Sequence, residues 1–143
     1  MAITSAVCNT FKTEALRAIH NFTQGGNTFR LALYTSSATI NKSTTQYITT
    51  NEVANGNGYT TKGIALTNVT PALSGDTAVC DFANVSFTSA SFTANGCLIF
   101  NDTATNDPSV CAIAFGGDKT VTNGTFTIEF PAADASNAIL RIA

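Results

Sequence analysis

From residue 29 onward this chain reads as short apolar or alternating runs of strand length, separated by turn-forming clusters, the pattern of all-β folds. "FRLALY" (29–34) alternates, with Phe29, Leu31 and Leu33 facing one way and Arg30, Ala32 and Tyr34 the other. That reads as a half-buried strand. "GIALTNV" and "AVCDFANVSF" flank "LSGDT", where Ser74, Gly75 and Asp76 supply hairpin-turn chemistry. "GCLIFND" and "SVCAIAF" flank "TATNDP" in the same manner and are apolar on both faces, which predicts central strands. After a "GGDK" turn come "TFTIEF" and a terminal strand in "NAILRIA". The stretch from Ser36 to Gly63 is polar, with "NGNG" at 55–58, and predicts loops with at most short ordered pieces.

A helical period occurs once. In "NTFKTEALRAIHNF" the residues Phe11, Ala15, Leu16, Ala18, Ile19 and Phe22 form one stripe, with Asn9 or Thr10 as N-cap. The pattern predicts a helix of about three turns over 10–20, stopped by "TQGGN". The expected fold class is mainly β: a β-sandwich or flattened barrel of about seven to nine antiparallel strands, with one N-terminal α-helix. No linker rich in Pro, Gly or Ser divides the chain. One domain over 1–143 is expected, with 1–8 as an N-terminal arm, the helix at 10–20 and the sandwich at 28–143.

Charge narrows the function. Charged residues make up 11% of the chain, against about 25% in an ordinary soluble domain, and the net charge is −2. Seven Lys and Arg residues, scattered from Lys12 to Arg141, form no basic stripe, so nucleic acid is set aside as a partner. No apolar run approaches the length of a membrane span. "MAITSAVC" has neither the basic nor the apolar region of a secretory signal, so synthesis in a cytoplasm is expected. Cys8, Cys80, Cys97 and Cys111 contain no C-x-x-C pair and read as reduced, mostly core residues. The six N-x-S/T sequons, at Asn21, Asn41, Asn68, Asn84, Asn101 and Asn123, then reflect a chain rich in Asn and Thr rather than glycosylation.

Candidate chemistry is thin. His20, the sole histidine, falls at the expected C-terminal end of the helix, where a capping role is the simpler reading. A Cys8–His20 dyad would need the two side chains within hydrogen-bond reach across a helix rising about 1.5 Å per residue. Asp76, Asp81, Asp102, Asp107, Asp118, Glu129 and Asp134 lie in or beside expected turns or on strands and show no pairing. "NDTATND" places oxygen ligands at Asn101, Thr103, Thr105 and Asp107, reminiscent of a calcium loop, but lacks the glycine and closing Glu of an EF-hand. A polar hairpin loop has the same pattern. "GNGYTTKG" puts Thr61 where a dinucleotide fingerprint needs its third glycine. There is no Walker A motif, G-x-S-x-G elbow or H-E-x-x-H. The expected catalytic, cofactor and metal residues are therefore none.

Taken together, "FKTEALRAIHNF", "FRLALYTSSATI", "TTNEVANGNGYTTKG", "GCLIFND" and "FPAADASNAILRIA" resemble small virion structural proteins of tailed double-stranded DNA bacteriophages. In that group a short N-terminal helix precedes a K/R-x-A-L-Y-T-S-S-A-T strand, a Gly-rich G-Y-T segment and a terminal P-A-A-D-A-S-N-A-I strand. The resemblance covers most of the chain and carries over no catalytic residue. It implies a place in the virion, and the outside of the head is favoured: a cement or decoration protein binding the major capsid protein and copies of itself, with a trimer favoured. A tail, baseplate or head–tail adaptor subunit is the alternative. A receptor- or carbohydrate-binding module is a third class, poorly supplied with aromatic platform by Tyr34, Tyr47 and Tyr59 in a chain without Trp. The segment Ala2–Val7, as an arm over a neighbour, and the loop 36–63 are the regions expected to make such contacts.

Overall fold

The computed structural model describes residues 2–143. Met1, the first residue of the expected arm, lies outside them. The described chain is mainly β, with eight strands in two antiparallel sheets and one N-terminal helix, in a sandwich-like arrangement. In chain order the elements are β1 (Ala6–Val7), α1 (Asn9–Leu16), β2 (Phe29–Tyr34), β3 (Ile64–Ala65), β4 (Asn68–Ser74), β5 (Thr77–Phe82), β6 (Val85–Asn101), β7 (Ser109–Ile128) and β8 (Leu140–Ile142). The large sheet runs β1-β7-β6-β2-β3 and the small one β4-β5-β8.

Two long strands organise the molecule. Their inner halves carry the runs apolar on both faces: Cys97 to Phe100 and Val110 to Ala112 are buried, and β6 sits between β7 and β2. The outer halves carry the alternating runs, which had suggested separate strands. "GGDK" is no turn: Gly116 (φ 79°) and Gly117 (φ 147°) let β7 bend and continue, so that Lys119 pairs with Ala94. β6 cannot be straight. Asn101 at its end pairs with Phe29, and Val85 at its start is separated by only Ala83 and Asn84 from Phe82, whose ring lies 5.8 Å from that of Phe29. A straight strand of 17 residues would hold its ends about 50 Å apart. Register shifts between Phe87 and Ala90, Ala90 and Phe92, and Ala94 and Gly96 supply the bends that fold the ribbon back over β2.

β2 begins and ends where expected, but it is buried on both faces, with only Arg30 partly open. It is a central strand. The helix is shorter than its stripe, because Ala18 takes a left-handed backbone (φ 60°) and the Ile19 N–H donates to the Glu14 carbonyl, closing the last turn. Cys8, and neither Asn9 nor Thr10, is the N-cap, and it makes no side-chain cap. Leu16, expected on the buried face, is 89% exposed.

The expected arm lies on its own sheet in the single chain. Ala6 and Val7 pair with Ala112 and Cys111, Ile3 bridges Ile40, and the Ile3 side chain occupies the space that a Cβ on Gly96 would take. The loop 36–63 is equally committed. Beyond β3 it covers the open edge of β2: the Val53 N–H donates to the Leu33 carbonyl, the Leu33 N–H to the Tyr59 hydroxyl, and the Thr35 N–H to the Asn51 carbonyl.

Candidate functional site

Three polar arrangements stand out, and the first is built from the loop. Glu52 accepts hydrogen bonds from the hydroxyls of Tyr47 (2.5 Å) and Tyr59 (2.7 Å) and from the Lys62 N–H (2.8 Å). Tyr34 donates to the Ile48 carbonyl at 2.6 Å. Burial first, and then the Glu52 carboxylate, push the Tyr47 and Tyr59 phenols above their ordinary range; burial does the same to Tyr34. All three remain protonated donors. None forms an open platform, because Tyr34 and Tyr59 are buried and Tyr47 stacks on Phe100 at 4.8 Å.

Lys62 closes this cluster. Its ammonium lies 2.8 Å from both Asp102 and Asp107 and over the rings of Tyr47 and Phe100. The two aspartates raise its pKa, Asp102 foremost. This is the loop whose spacing is reminiscent of a calcium loop. The loop's two carboxylates hold the chain's own cation, while Asn101 is turned inward with its carbonyl oxygen taken by the Thr103 and Ala104 N–H groups. Among the described residues no three His, Cys, Asp or Glu side chains are grouped to hold a metal ion. Lys62 sits at φ 77° and Asp107 at φ 49°, left-handed conformations that cost on the order of 1 kcal/mol or more and that the ion pairs help to hold. Glu52 and Lys62 were not singled out from the sequence. The signal was there: in so weakly charged a chain, an acid between Tyr47 and Tyr59 and a lysine just after Tyr59 need partners.

The second arrangement surrounds His20, which is no helix cap. It lies beyond α1, buried against the rings of Phe11, Phe22 and Phe29. Its Nε2 is 3.1 Å from Glu14 Oε1 and its Nδ1 is 3.2 Å from the Asn101 amide nitrogen. Cys8 has other partners: its thiol points to the Asn41 carbonyl at 3.8 Å, and burial raises its pKa. No Cys8–His20 contact forms. Burial likewise pushes the thiols of Cys80 and Cys97 up to about 12, and that of Cys111 well above its ordinary value, so the neutral thiol dominates at all four sites near neutral pH. The four are free and buried, as expected of core thiols. Two sequon asparagines, Asn68 and Asn101, are buried as well.

The third is a surface. On the outer half of the β6–β7 ribbon, Ser86 faces Thr127 at 2.9 Å, Ser91 faces Asn123 at 3.3 Å, Thr93 faces Thr120 at 2.9 Å and Asn95 donates to Asp118 at 2.9 Å. Hydroxyls and amides are thus bonded to each other across the strands, leaving an ordered face with one charge in these four pairs. The apolar side of the same ribbon stacks Phe87, Phe92 and Phe126 beneath it. Of the remaining acids, Asp76, Asp118 and Glu129 are exposed and Asp134 is partly so, bonded to Ser136 and Asn137; only Asp81 is buried. An open depression of about 340 Å³, lined by Thr39, Asn41, Ser43, Thr44, Thr45, Gln46 and Ile48, carries no charged group. The chain matches no protein-family model, no curated protein and no solved structure.

Proposed function

We propose that this chain is a non-enzymatic virion structural protein of a tailed bacteriophage, and within that class a cement or decoration protein that binds the outer capsid shell and bridges its subunits. The observation that carries the reading is the outer face of the β6–β7 ribbon. Its hydroxyls and amides are already paired within the chain, so covering them with another protein sacrifices little hydration, whereas covering charges costs far more. The pinned loop 36–63 adds a second pre-ordered surface, which lowers the entropy cost of association. The tyrosines are committed inside the molecule, which argues against stacking on sugars. The motif resemblance supplies the partner class: the major capsid protein, together with further copies of this chain.

Such a protein acts by mass action. A binder selective for the mature shell adds its binding free energy to the stability of that shell. The test is to mix purified protein with assembled shells and with tails, follow co-sedimentation, and map the particle by cryo-electron microscopy. Density repeated over the shell lattice is the expected result. Density confined to the tail vertex would replace it with a tail, baseplate or adaptor subunit. A lone monomer that ignores shells and tails alike and turns over a small molecule would overturn the structural reading altogether.

A further inference from the structure

We propose that His20 and Asn101 form a proton-operated latch, in which protonation of the imidazole forces the Asn101 amide to rotate and uncaps the 102–108 hairpin. The geometry leaves Asn101 little choice at neutral pH. Its side-chain oxygen accepts the Thr103 N–H at 3.0 Å and the Ala104 N–H at 3.2 Å, so the amide nitrogen is the atom turned toward His20. That nitrogen lies 3.0 Å from Asn27 Oδ1 and 3.5 Å from the Ile19 carbonyl, both acceptors, which fixes the orientation a second time. His20 Nδ1 must then accept, and the ring proton sits on Nε2, donating to Glu14.

The groups facing the ring are few. From α1 come Glu14 and Phe11, from the segment after it Phe22, from β2 Phe29, and from β6 Asn101. Glu14 is the one titratable group among them. A second proton has only Nδ1 to occupy, and there it meets the N–H of Asn101, donor against donor, in a site where the His20 side chain is fully buried. Rotating the amide by a half turn relieves that conflict by presenting its oxygen to Nδ1–H. The same rotation withdraws the oxygen from the Thr103 and Ala104 N–H groups. Asp102 and Asp107, which hold Lys62 and through it the 36–63 loop, stand on that hairpin. Mild acid therefore loosens the hairpin tip and the loop anchor while the strands stay paired.

The chain has a single histidine, so its imidazole resonances need no assignment. In the native chain, nitrogen-15 spectra at about pH 7.5 should report the Nε2–H tautomer; the Nδ1–H tautomer would overturn the proposal without any variant. Amide-exchange protection of Thr103 and Ala104 should fall roughly tenfold between about pH 7.5 and pH 5, while that of Ile99 and Val110 stays constant. In His20→Phe, which keeps a ring among Phe11, Phe22 and Phe29, protection should be independent of pH over that range. Equal protection at both pH values in the native chain, or the same fall in His20→Phe, would show that the hairpin does not respond to this proton.

Discussion

Asn101 in the large sheet and Asp81 in the small one are both buried polar residues on strands, 0% and 2% exposed, yet they are treated in opposite ways. The Asn101 amide has partners on both its atoms: two N–H donors on the oxygen, and Asn27 and His20 at the nitrogen. Asp81 has one oxygen on the Phe82 N–H and the Ile139 backbone also favours its charged form, but among the described residues its other oxygen has no hydrogen-bond partner and no cation is paired with it. Burial accordingly raises the Asp81 pKa. The difference extends to their surroundings. Around Asn101 both faces of the sheet are covered, whereas the small sheet presents Leu73 (75% exposed) and Ile142 (72%) in one cross-strand row with Ala78. One sheet is finished within the chain, and the other is only partly so.

The sharpest way to break the comparison uses glycine. Gly63 and Gly75 both have left-handed backbones, at φ 73° and 62°. A Cβ on Gly63 would lie 1.8 Å from the Leu31 carbonyl oxygen, whereas one on Gly75 would meet nothing within 4 Å. Gly63→Ala must separate β3 and the end of the loop from β2, and should cost more than about 4 kcal/mol or prevent folding. Gly75→Ala pays only the left-handed penalty, about 1 kcal/mol. Urea denaturation of the two variants beside the native chain checks this. Equal losses would mean that the two sheets are equally constrained.

What the sequence revealed follows the same line. The turn of the β4–β5 hairpin was readable because Ser74, Gly75 and Asp76 carry their turn chemistry locally, and the structure pairs Ser74 with Thr77; the flanking strands were not, since "GIALTNV" is divided between β3 and β4 and "AVCDFANVSF" between β5 and β6, in different sheets. The inner halves of β6 and β7 were readable from their apolar runs, whereas β2 was placed correctly by its alternation but read as half-buried, because its cover on both faces comes from distant segments. The helix was overextended because its stripe continues through Ala18 to Phe22, while the chain turns at Ala18 to bring His20 against Phe29, a contact that helical periodicity does not encode. "GGDK" was taken for a turn because paired glycines permit one. Whether they reverse the chain or only bend it is decided by the partner strand, here Ala94 opposite Lys119. Glu52, Lys62 and Asp102 went unlinked for the same reason: Lys62 and Asp102 are forty residues apart, and only the folded sheet brings them to 2.8 Å. The cross-strand hydroxyl pairs were visible as composition, but not as a surface.

Removing each buried polar group in turn sharpens the contrast. Asn101→Ala leaves the Thr103 and Ala104 N–H groups without their acceptor and should cost about 2–4 kcal/mol at neutral pH. Asp81→Asn removes a charge that has no cation and should stabilise the chain by about 1 kcal/mol at neutral pH. The sign follows from proton binding. With its folded pKa raised, native Asp81 holds a proton more tightly than the unfolded chain does, so its favourable contribution is full below the ordinary carboxylate range and declines as pH rises through the folded value. The gain from Asp81→Asn should therefore be present at about pH 7 and vanish near about pH 3.5. A gain that is constant with pH would mean that burial does not set the behaviour of this carboxyl.

The smallest effect on folding carries the most about attachment. Leu73 is largely exposed, so Leu73→Ser should change the stability of the isolated chain by less than about 0.5 kcal/mol. A large apolar side chain held in that position on a sheet, in register with Ala78 and Ile142, contributes when another surface covers it. If the unfinished sheet takes part in attachment, Leu73→Ser should weaken co-sedimentation with shells roughly tenfold, as expected for losing a buried leucine side chain from an interface. Thr93→Ala on the ribbon face gives the counterpart, since it removes one hydroxyl pair from the surface proposed to meet the shell. Loss of binding with Thr93→Ala alone would assign attachment to the ribbon, and loss with Leu73→Ser alone would assign it to the small sheet. Loss with both would mean that the chain bridges two partners, one on each sheet.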